Sequence, residues 1–222
     1  MDVGFVGVGA MGAAMAGHVA RGGHSVLAFD TDAEALAAAS TGGVQAAASL
    51  PELASAVDVA IVMVASDAQS RSVVEAMLEA GMRDGATIAI AATNRPRTMI
   101  ELAELCAASG VGFVDAPVCY GLQGAKEGNL ISLCGGEAET VETIRPALEC
   151  YSRSVEHLGP VGCGQLGKTC NNMMHWVACV ANYEVLALAK SCGINAQGMR
   201  ETLLKCPARN TTLERWDTTR FT

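Results

Sequence analysis

Short apolar runs alternate with alanine-rich, amphipathic segments along most of the chain. The apolar runs are strand-like in length and lie at 3–7, 25–30, 57–64, 86–92 and 111–115. The segments between them, such as DAQSRSVVEAMLEAG and PRTMIELAELCAASG, have the hydrophobic spacing of helices and commonly end in glycine. Strict alternation of strand and helix predicts β-α-β units, and therefore a parallel sheet with helices on both faces.

The pattern changes after the sequence GPVGCG, which ends at Gly164. A further strand over LISLCGG and a helix over EAETVETIRPALECYS are predicted before this point. Beyond it the sequence predicts one long helix that ends near Gly193, and a second over AQGMRETLLKC that ends at Pro207. We therefore expect an α/β domain over residues 1–163 and an all-α domain over residues 164–222.

A glycine fingerprint, GVGAMG, follows the first predicted strand and opens a helix. It supplies Gly7 for a tight turn, Gly9 for close approach of a pyrophosphate, and Gly12 for helix–strand packing. The pyrophosphate of a dinucleotide would lie on the free amide groups of the helix start, so Ala10 and Met11 are also assigned to the cofactor. This context predicts a Rossmann-type, mostly parallel sheet.

Asp30 closes the second strand, 18 residues after Gly12 (30 − 12). A carboxylate there accepts hydrogen bonds from the adenosine ribose and repels the 2′-phosphate of NADP. The next two residues include no arginine, so NAD is favoured over NADP. A flavin dinucleotide and a glycine-rich turn without any ligand are the alternatives.

Composition narrows the classes of function. The chain has 222 residues, a net charge of −8 and 50% hydrophobic residues, which argues against a nucleic-acid or anionic-membrane surface. The nine cysteines form no C-x-x-C pair and the four histidines show no ligand spacing, so we expect free thiols and no metal site. No signal peptide or membrane-length run is evident, and we expect a cytoplasmic protein.

Lys168, Asn172 and His175 occupy one face of the long predicted helix, at i, i+4 and i+7. A lysine within an otherwise apolar segment is costly to bury unless it is paired or functional. The alternative is a surface lysine at a helix start. His175 is interpreted as a packing residue.

Three motifs in this order, GFVGVGAMGAAMA, DAPVCYGLQGAKEGNL and GKTCNN, resemble the β-hydroxyacid dehydrogenase family over essentially the whole chain. This family includes 3-hydroxyisobutyrate dehydrogenase, tartronate semialdehyde reductase and 2-(hydroxymethyl)glutarate dehydrogenase. The resemblance implies a role for each matching position. These are Lys168 as general acid/base, Asn172 as a substrate-binding amide, Thr93 near the cofactor, and Cys119, Tyr120 and Gly121 around the substrate carboxylate.

The chain departs from the family pattern in the second motif and at its end. Cys119 and Tyr120 stand where the family has serine and glycine, and Ala92 replaces a serine before Thr93. A thiol is a weaker donor than a hydroxyl. No base or metal-ligand partner stands near Cys119 in sequence, so we interpret it as pocket lining. Family members continue through further helices, so we expect a truncated helical domain.

The sequence thus predicts an NAD-dependent oxidoreductase that transfers a hydride between NAD and a small β-hydroxy acid. We expect a small carboxylate substrate, no nucleic-acid or membrane partner, and a homodimer or tetramer formed through the helical domain. One rival is an imine reductase-like enzyme, which the lysine of GKTCNN disfavours. The other is a non-catalytic dinucleotide-binding or oligomerisation module.

Overall fold

The computed structural model describes residues 1–216, which divide into two compact units with the boundary after Lys168. The strands of the first unit are β1 (Asp2–Val6), β2 (Ser25–Phe29), β3 (Val44–Ala46), β4 (Val59–Val62), β5 (Thr87–Ile90), β6 (Gly112–Asp115), β7 (Val118–Cys119), β8 (Leu130–Gly135) and β9 (Ser152–Gly159). Its helices are α1 (Ala10–Arg21), α2 (Ala33–Ala39), α3 (Leu50–Ala56), α4 (Asp67–Ala80), α5 (Pro96–Ala108), α6 (Gly121–Glu127) and α7 (Ala138–Glu149). Helix α8 (Cys163–Ser191) begins here and continues into the second unit, where α9 (Ala196–Leu203) and α10 (Thr211–Glu214) follow.

The strands form one sheet in the order β3-β2-β1-β4-β5-β6-β8-β7, with β9 paired to β8. All neighbours from β3 to β6 are parallel, β8 runs antiparallel to β6 and β7, and β9 is parallel to β8. The strand order reverses at β1, because β2 and β3 lie on one side of it and β4 to β6 on the other. Open parallel sheets bind ligands outside the carboxyl ends of the strands at such a reversal.

Both faces of the sheet are buried, and alternate residues of each central strand contribute to two separate cores. In β4, Val59 and Ile61 join the cluster that includes α1 and α7, whereas Ala60 and Val62 join the cluster that includes α3, α4 and α5. This arrangement explains why the central strands are continuous apolar runs in the sequence.

Three of the helices begin where a short polar side chain replaces the missing backbone acceptor. Asp32, Ser49 and Ser66 each accept a hydrogen bond from a backbone amide in the first turn of α2, α3 and α4. These are typical N-cap residues, and each marks the point at which a helix begins.

Two buried polar side chains, Asn182 and Arg200, connect the helices in the described part of the second unit. Asn182 of α8 donates to Thr212 Oγ1 at 2.7 Å. Arg200 of α9 donates to the carbonyl oxygens of Leu213 at 2.9 Å and Glu214 at 3.0 Å. Both contacts end on α10, so this short helix ties α8 and α9 together within the unit.

The predicted fold class is confirmed: a Rossmann-type, mostly parallel sheet is followed by helices. The sequence analysis missed β3, α3, β7, α6, β9 and α10. Strand β7 has only two residues and α10 only four. Strand β3 has three residues and α3 has seven, which is too short for a clear periodicity. Helix α6 lies in the glycine-rich GLQGAKE, where propensity is poor, and β9 exposes much of its length. None of the helices in residues 1–216 is long and apolar enough to cross a membrane.

The turn between β1 and α1 depends on two glycines that pack backbone against backbone. Gly7 has a φ of +88°, and a Cβ on it would lie 2.4 Å from the carbonyl oxygen of Met63. A Cβ on Gly12 would lie 2.0 Å from the carbonyl oxygen of Gly7. By contrast, a Cβ on Gly9 would meet nothing within 4 Å. Only the first and last glycines of the fingerprint are therefore required by the fold itself.

This difference predicts that Gly12→Ala lowers thermal stability and that Gly9→Ala does not. The clash at Gly12 is with backbone, so the helix must shift, which costs about 1–3 kcal/mol. In a chain of this size that corresponds to a fall in Tm of about 3–10 °C. Thermal denaturation of the two variants, monitored by circular dichroism, measures the difference. An equal fall in both would contradict this packing.

Candidate functional site

The candidate site lies at the carboxyl edge of the parallel sheet. Gly7 follows β1, Asp30 follows β2, Thr93 follows β5, and Asp115 ends β6, so the ends of four parallel strands bring these residues to one edge. Thr93 is exposed at this edge.

The start of α1 is open to an anionic ligand. Gly9 is its N-cap, no side chain caps the helix, and no acidic residue lies in its first turn. Gly9 and Ala10 are exposed and Met11 is half-buried. Free amide groups at the positive end of a helix favour a phosphate, and the open space at Gly9 lets it approach the backbone. The residues present therefore fit the pyrophosphate of a dinucleotide.

Asp30 has a structural task beside its predicted contact with the ribose. Its Oδ2 accepts a hydrogen bond from the amide of Val8 at 2.7 Å, and its Oδ1 accepts one from Asp32 at 3.0 Å. Val8 lies between the first two glycines of the fingerprint. One carboxylate thus holds the glycine turn in place and presents negative charge half-buried at the end of β2.

Lys168 approaches the strand segment that follows β6. Its Nζ donates a hydrogen bond to the carbonyl oxygen of Val118 at 2.7 Å and lies 3.9 Å from Cys119 Sγ. The side chain is half-buried. Lys168 is therefore not the freely solvated surface lysine of the alternative interpretation.

Cys119 is 7% exposed and ends β7, where it pairs with Ile131 of β8. Its Sγ lies 3.9 Å from the amino group of Lys168. No local pattern could have indicated this proximity, because 49 positions separate the two residues. The arrangement suits a residue that lines the space beside the lysine.

Tyr120 adopts a backbone conformation that is unusual for a large side chain. Its φ is +84°, and it is the non-glycine residue with positive φ among residues 1–216. Gly121 follows with a φ of +57°. The guanidinium of Arg153 lies 4.4 Å from the centroid of the Tyr120 ring, a cation–π contact. Tyr120, which stands where the family has a glycine, thus holds a backbone conformation suited to glycine.

Two buried residues near this edge were missed by the sequence analysis. Asp115 accepts hydrogen bonds from the amides of Gly162 and Gln165 at the start of α8, both at 2.7 Å. The Gln165 side chain bonds to the loop that carries Thr93. The contacts of Asp115 span 47 and 50 positions, so no local pattern could have indicated them.

The predicted substrate residue Asn172 belongs to the second unit. Its Oδ1 accepts a hydrogen bond from Asn171 at 3.2 Å, and the residue is half-buried. His175 Nε2 lies 3.8 Å from Cys179 Sγ. The interpretation of His175 as a packing residue is consistent with this contact.

Comparison with known proteins adds an independent line of evidence. Residues 2–159 match the NAD-binding domain of 6-phosphogluconate dehydrogenase. The chain is 31% identical to the mitochondrial 3-hydroxyisobutyrate dehydrogenase of Drosophila melanogaster over 91% of its length, and spans 62% of that relative. It is 32% identical to 3-hydroxyisobutyrate dehydrogenase of Pseudomonas aeruginosa, covering 94% of this chain and 71% of the relative.

A solved structure agrees with these relatives in fold. Mycobacterium tuberculosis 3-hydroxyisobutyrate dehydrogenase with L-serine superposes with a TM-score of 0.89 at 31% identity, covering 96% of this chain and 72% of that one. The match to the NAD-binding domain spans the sheet and its glycine turn. The sequence identity to the dehydrogenases extends beyond it into the helices that follow. The protein carries an NAD-binding Rossmann domain and belongs to the β-hydroxyacid dehydrogenase family.

Proposed function

We propose that this protein is an NAD-dependent oxidoreductase of small β-hydroxy acids, with Lys168 as the general acid/base. The observation that carries the proposal is the contact of Lys168 Nζ with the Val118 carbonyl oxygen, 2.7 Å, beside Cys119. The contact lies in the same unit as the glycine turn, and a lysine is a suitable proton carrier when its amine is held in place. Membership of the family supports the oxidoreductase class.

The proposed chemistry assigns one task to each part of the site. Lys168 takes the hydroxyl proton when the substrate is oxidised, and returns a proton to the developing alkoxide in the reverse direction. NAD, held by Gly9, Ala10, Met11 and Asp30, supplies the redox chemistry when bound. The bend at Cys119–Gly121 and the amide of Asn172 are proposed to bind the substrate carboxylate and hydroxyl, as the resemblance implies.

The substrate is proposed to be a small hydroxy acid, and the relatives of this chain guide the choice of test compounds. 3-Hydroxyisobutyrate and L-serine are named with proteins that this chain resembles. A panel of these and longer β-hydroxy acids, followed by the absorbance of reduced nicotinamide, tests the proposal. NADH binding without turnover of any compound would instead support a non-catalytic dinucleotide-binding module. Turnover of cyclic imines alone would support an imine reductase-like enzyme.

We also propose that the protein self-associates through α8 with a second copy of the chain. Met173, Met174, Trp176, Val177 and Val180 are 56–71% exposed on this helix. Residues 169–183 contain no Asp, Glu, Lys or Arg, although the chain carries a net charge of −8. Two copies of an acidic chain meet with least repulsion on an uncharged surface, and interface cores are depleted in charge and enriched in Met and Trp.

The catalytic proposal predicts that Lys168→Ala lowers turnover strongly while NADH binding is retained. Loss of a general acid/base typically lowers kcat by about 10²–10⁴-fold. Steady-state kinetics and NADH fluorescence titration measure the two quantities. Lys190→Ala, an exposed lysine on the same helix, is the matched control and should turn over like the parent chain. Unchanged kcat in Lys168→Ala would refute the assigned role.

The cofactor proposal predicts that Asp30→Asn weakens NADH binding and reduces discrimination against NADPH. A hydrogen bond to a charged group contributes about 1.5–3 kcal/mol, which corresponds to about 10–150-fold in Kd. Parallel titrations with NADH and NADPH measure the ratio. Asp32→Asn, which changes a carboxylate that caps α2, is the control and should keep the parental ratio. A parental ratio in Asp30→Asn as well would show that this carboxylate does not select the cofactor.

The self-association proposal predicts an assembly mass of at least two 22.8 kDa chains by light scattering. Val177→Glu and Val180→Glu, at positions 62% and 61% exposed, place charge on the uncharged surface and should give monomers without loss of fold. Lys190→Glu, outside residues 169–183, is the control and should remain associated. A monomeric parent chain would exclude the proposal.

A further inference from the structure

A buried polar network surrounds the first turns of α8, just before Lys168. It consists of Asp115, Gln165 and Ser70, each with no exposed surface, and Asn94, which is 6% exposed. Buried polar groups are costly unless they are hydrogen-bonded, so a cluster of this kind fixes the geometry of the segments that it joins. The segments here are the end of β6, the start of α8, the loop after β5 and, through Ser70, helix α4.

Asp115 caps the start of α8, although 47 positions separate it from Gly162 in the sequence. Its two carboxylate oxygens accept hydrogen bonds from Gly162 and Gln165, both at 2.7 Å, the length expected of charge-assisted bonds. Burial raises the pKa of Asp115, and the amide hydrogen bonds act in the opposite direction. With an amide donor on each oxygen at the positive end of a helix, the carboxylate is the form that fits these contacts.

The packing around Asp115 leaves no freedom for the helix start. A Cβ on Gly164 would lie 2.6 Å from the Asp115 carbonyl oxygen and 2.8 Å from its Oδ2. A Cβ on Gly135 would lie 2.5 Å from Asp115 Oδ1. A side chain on either glycine would force the backbone to move. The end of β8 and the start of α8 therefore pack against the carboxylate as closely as backbone atoms allow.

Gln165 joins α8 to the loop that carries Thr93. Its Oε1 accepts a hydrogen bond from the amide of Asn94 at 2.9 Å, and its Nε2 donates to the carbonyl oxygen of Ala92 at 2.8 Å. These two groups flank Thr93 in the chain. One side chain on α8, three residues before Lys168, therefore hydrogen-bonds to the backbone on each side of Thr93, the residue predicted to lie near the cofactor.

We propose that Asp115 and Gln165 are positioning residues that set the place of Lys168 Nζ relative to the Val118 carbonyl oxygen and the Thr93 loop. Asp115 lies three residues before Val118 on one segment, and Gln165 three residues before Lys168 on the other. Two hydrogen bonds to Asp115 form before Lys168, and a third joins Lys168 to Val118. Together they attach the start of α8 to this segment. The catalytic consequence rests on the proposed function, because misplacement of a reacting group by about 1 Å lowers rates by about 100-fold.

Kinetics distinguish positioning from a purely structural role. Gln165→Met keeps the length of the side chain and removes both hydrogen bonds to the Thr93 loop. It should lower kcat by about 100-fold and leave the Kd of NADH within about threefold of the parent chain. Asp115→Asn, which presents an amide donor to backbone donors, should lower kcat in the same way if it folds.

Ser70→Ala is the matched control. Ser70 has no exposed surface and accepts the hydrogen bond of Asn94 Nδ2 at 2.8 Å, so the variant disturbs the same loop without touching α8. Its thermal stability should fall by an amount similar to that of Gln165→Met, while kcat stays near the parental value. An equal loss of kcat in Ser70→Ala would overturn the positioning role.

A second measurement does not depend on turnover. Acetylation of the folded chain by acetic anhydride, followed by peptide mass spectrometry, gives the reaction rate of Lys168 relative to Lys190. If Gln165 positions Lys168, its variant should acetylate Lys168 about fivefold faster, the factor that corresponds to one hydrogen bond. An unchanged ratio overturns the inference, whatever the kinetics. A parent chain inactive on every hydroxy acid would instead reject the proposed function, and the acetylation ratio would still decide on positioning.

Discussion

The carboxylate of Asp115 is the constraint on which the candidate site depends. It sits without exposed surface at the end of β6, and it accepts two amide hydrogen bonds from the start of α8. An isolated carboxylate could not be buried here, and the first turn of a helix could not be buried without an acceptor. Each satisfies the other, and this pairing holds the start of α8 against the end of β6. The position proposed for Lys168 depends on it.

The opposite end of the site is organised by backbone rather than by charge. Gly7 and Gly12 let β1, α1 and the neighbouring strand meet at distances that no side chain permits, and Asp30 holds the intervening amide of Val8. Gly9 has no such structural task. Two glycines are thus needed for packing, and the third leaves room for a ligand. These are the glycine roles expected of a dinucleotide site.

The sequence predicted the parts of this site whose determinants are local. The glycine turn, Asp30 and the alternation of strand and helix all depend on spacing within a few tens of residues. In the structure the glycine turn lies between β1 and α1, Asp30 follows β2, and strands alternate with helices. The network of Asp115 and Gln165 joins segments about 50 and 70 positions apart through side chain–backbone contacts, and such contacts leave no periodicity. Tyr120 shows a third case. It stands where the family has glycine, and its φ is positive, a conformation that favours glycine and that the residue type does not indicate.

The carbonyl oxygen of Val118 has a consequence for the direction of the proton transfer proposed for Lys168. A lysine amine carries three hydrogens when charged and two when neutral, and one N–H can remain bonded to this oxygen in both forms. The bond does not have to break when the proton leaves, so the lone pair that remains must lie on a part of the nitrogen turned away from Val118. A backbone atom that takes no part in the proposed chemistry thereby restricts the angles from which Lys168, as the proposed general acid/base, can exchange a proton.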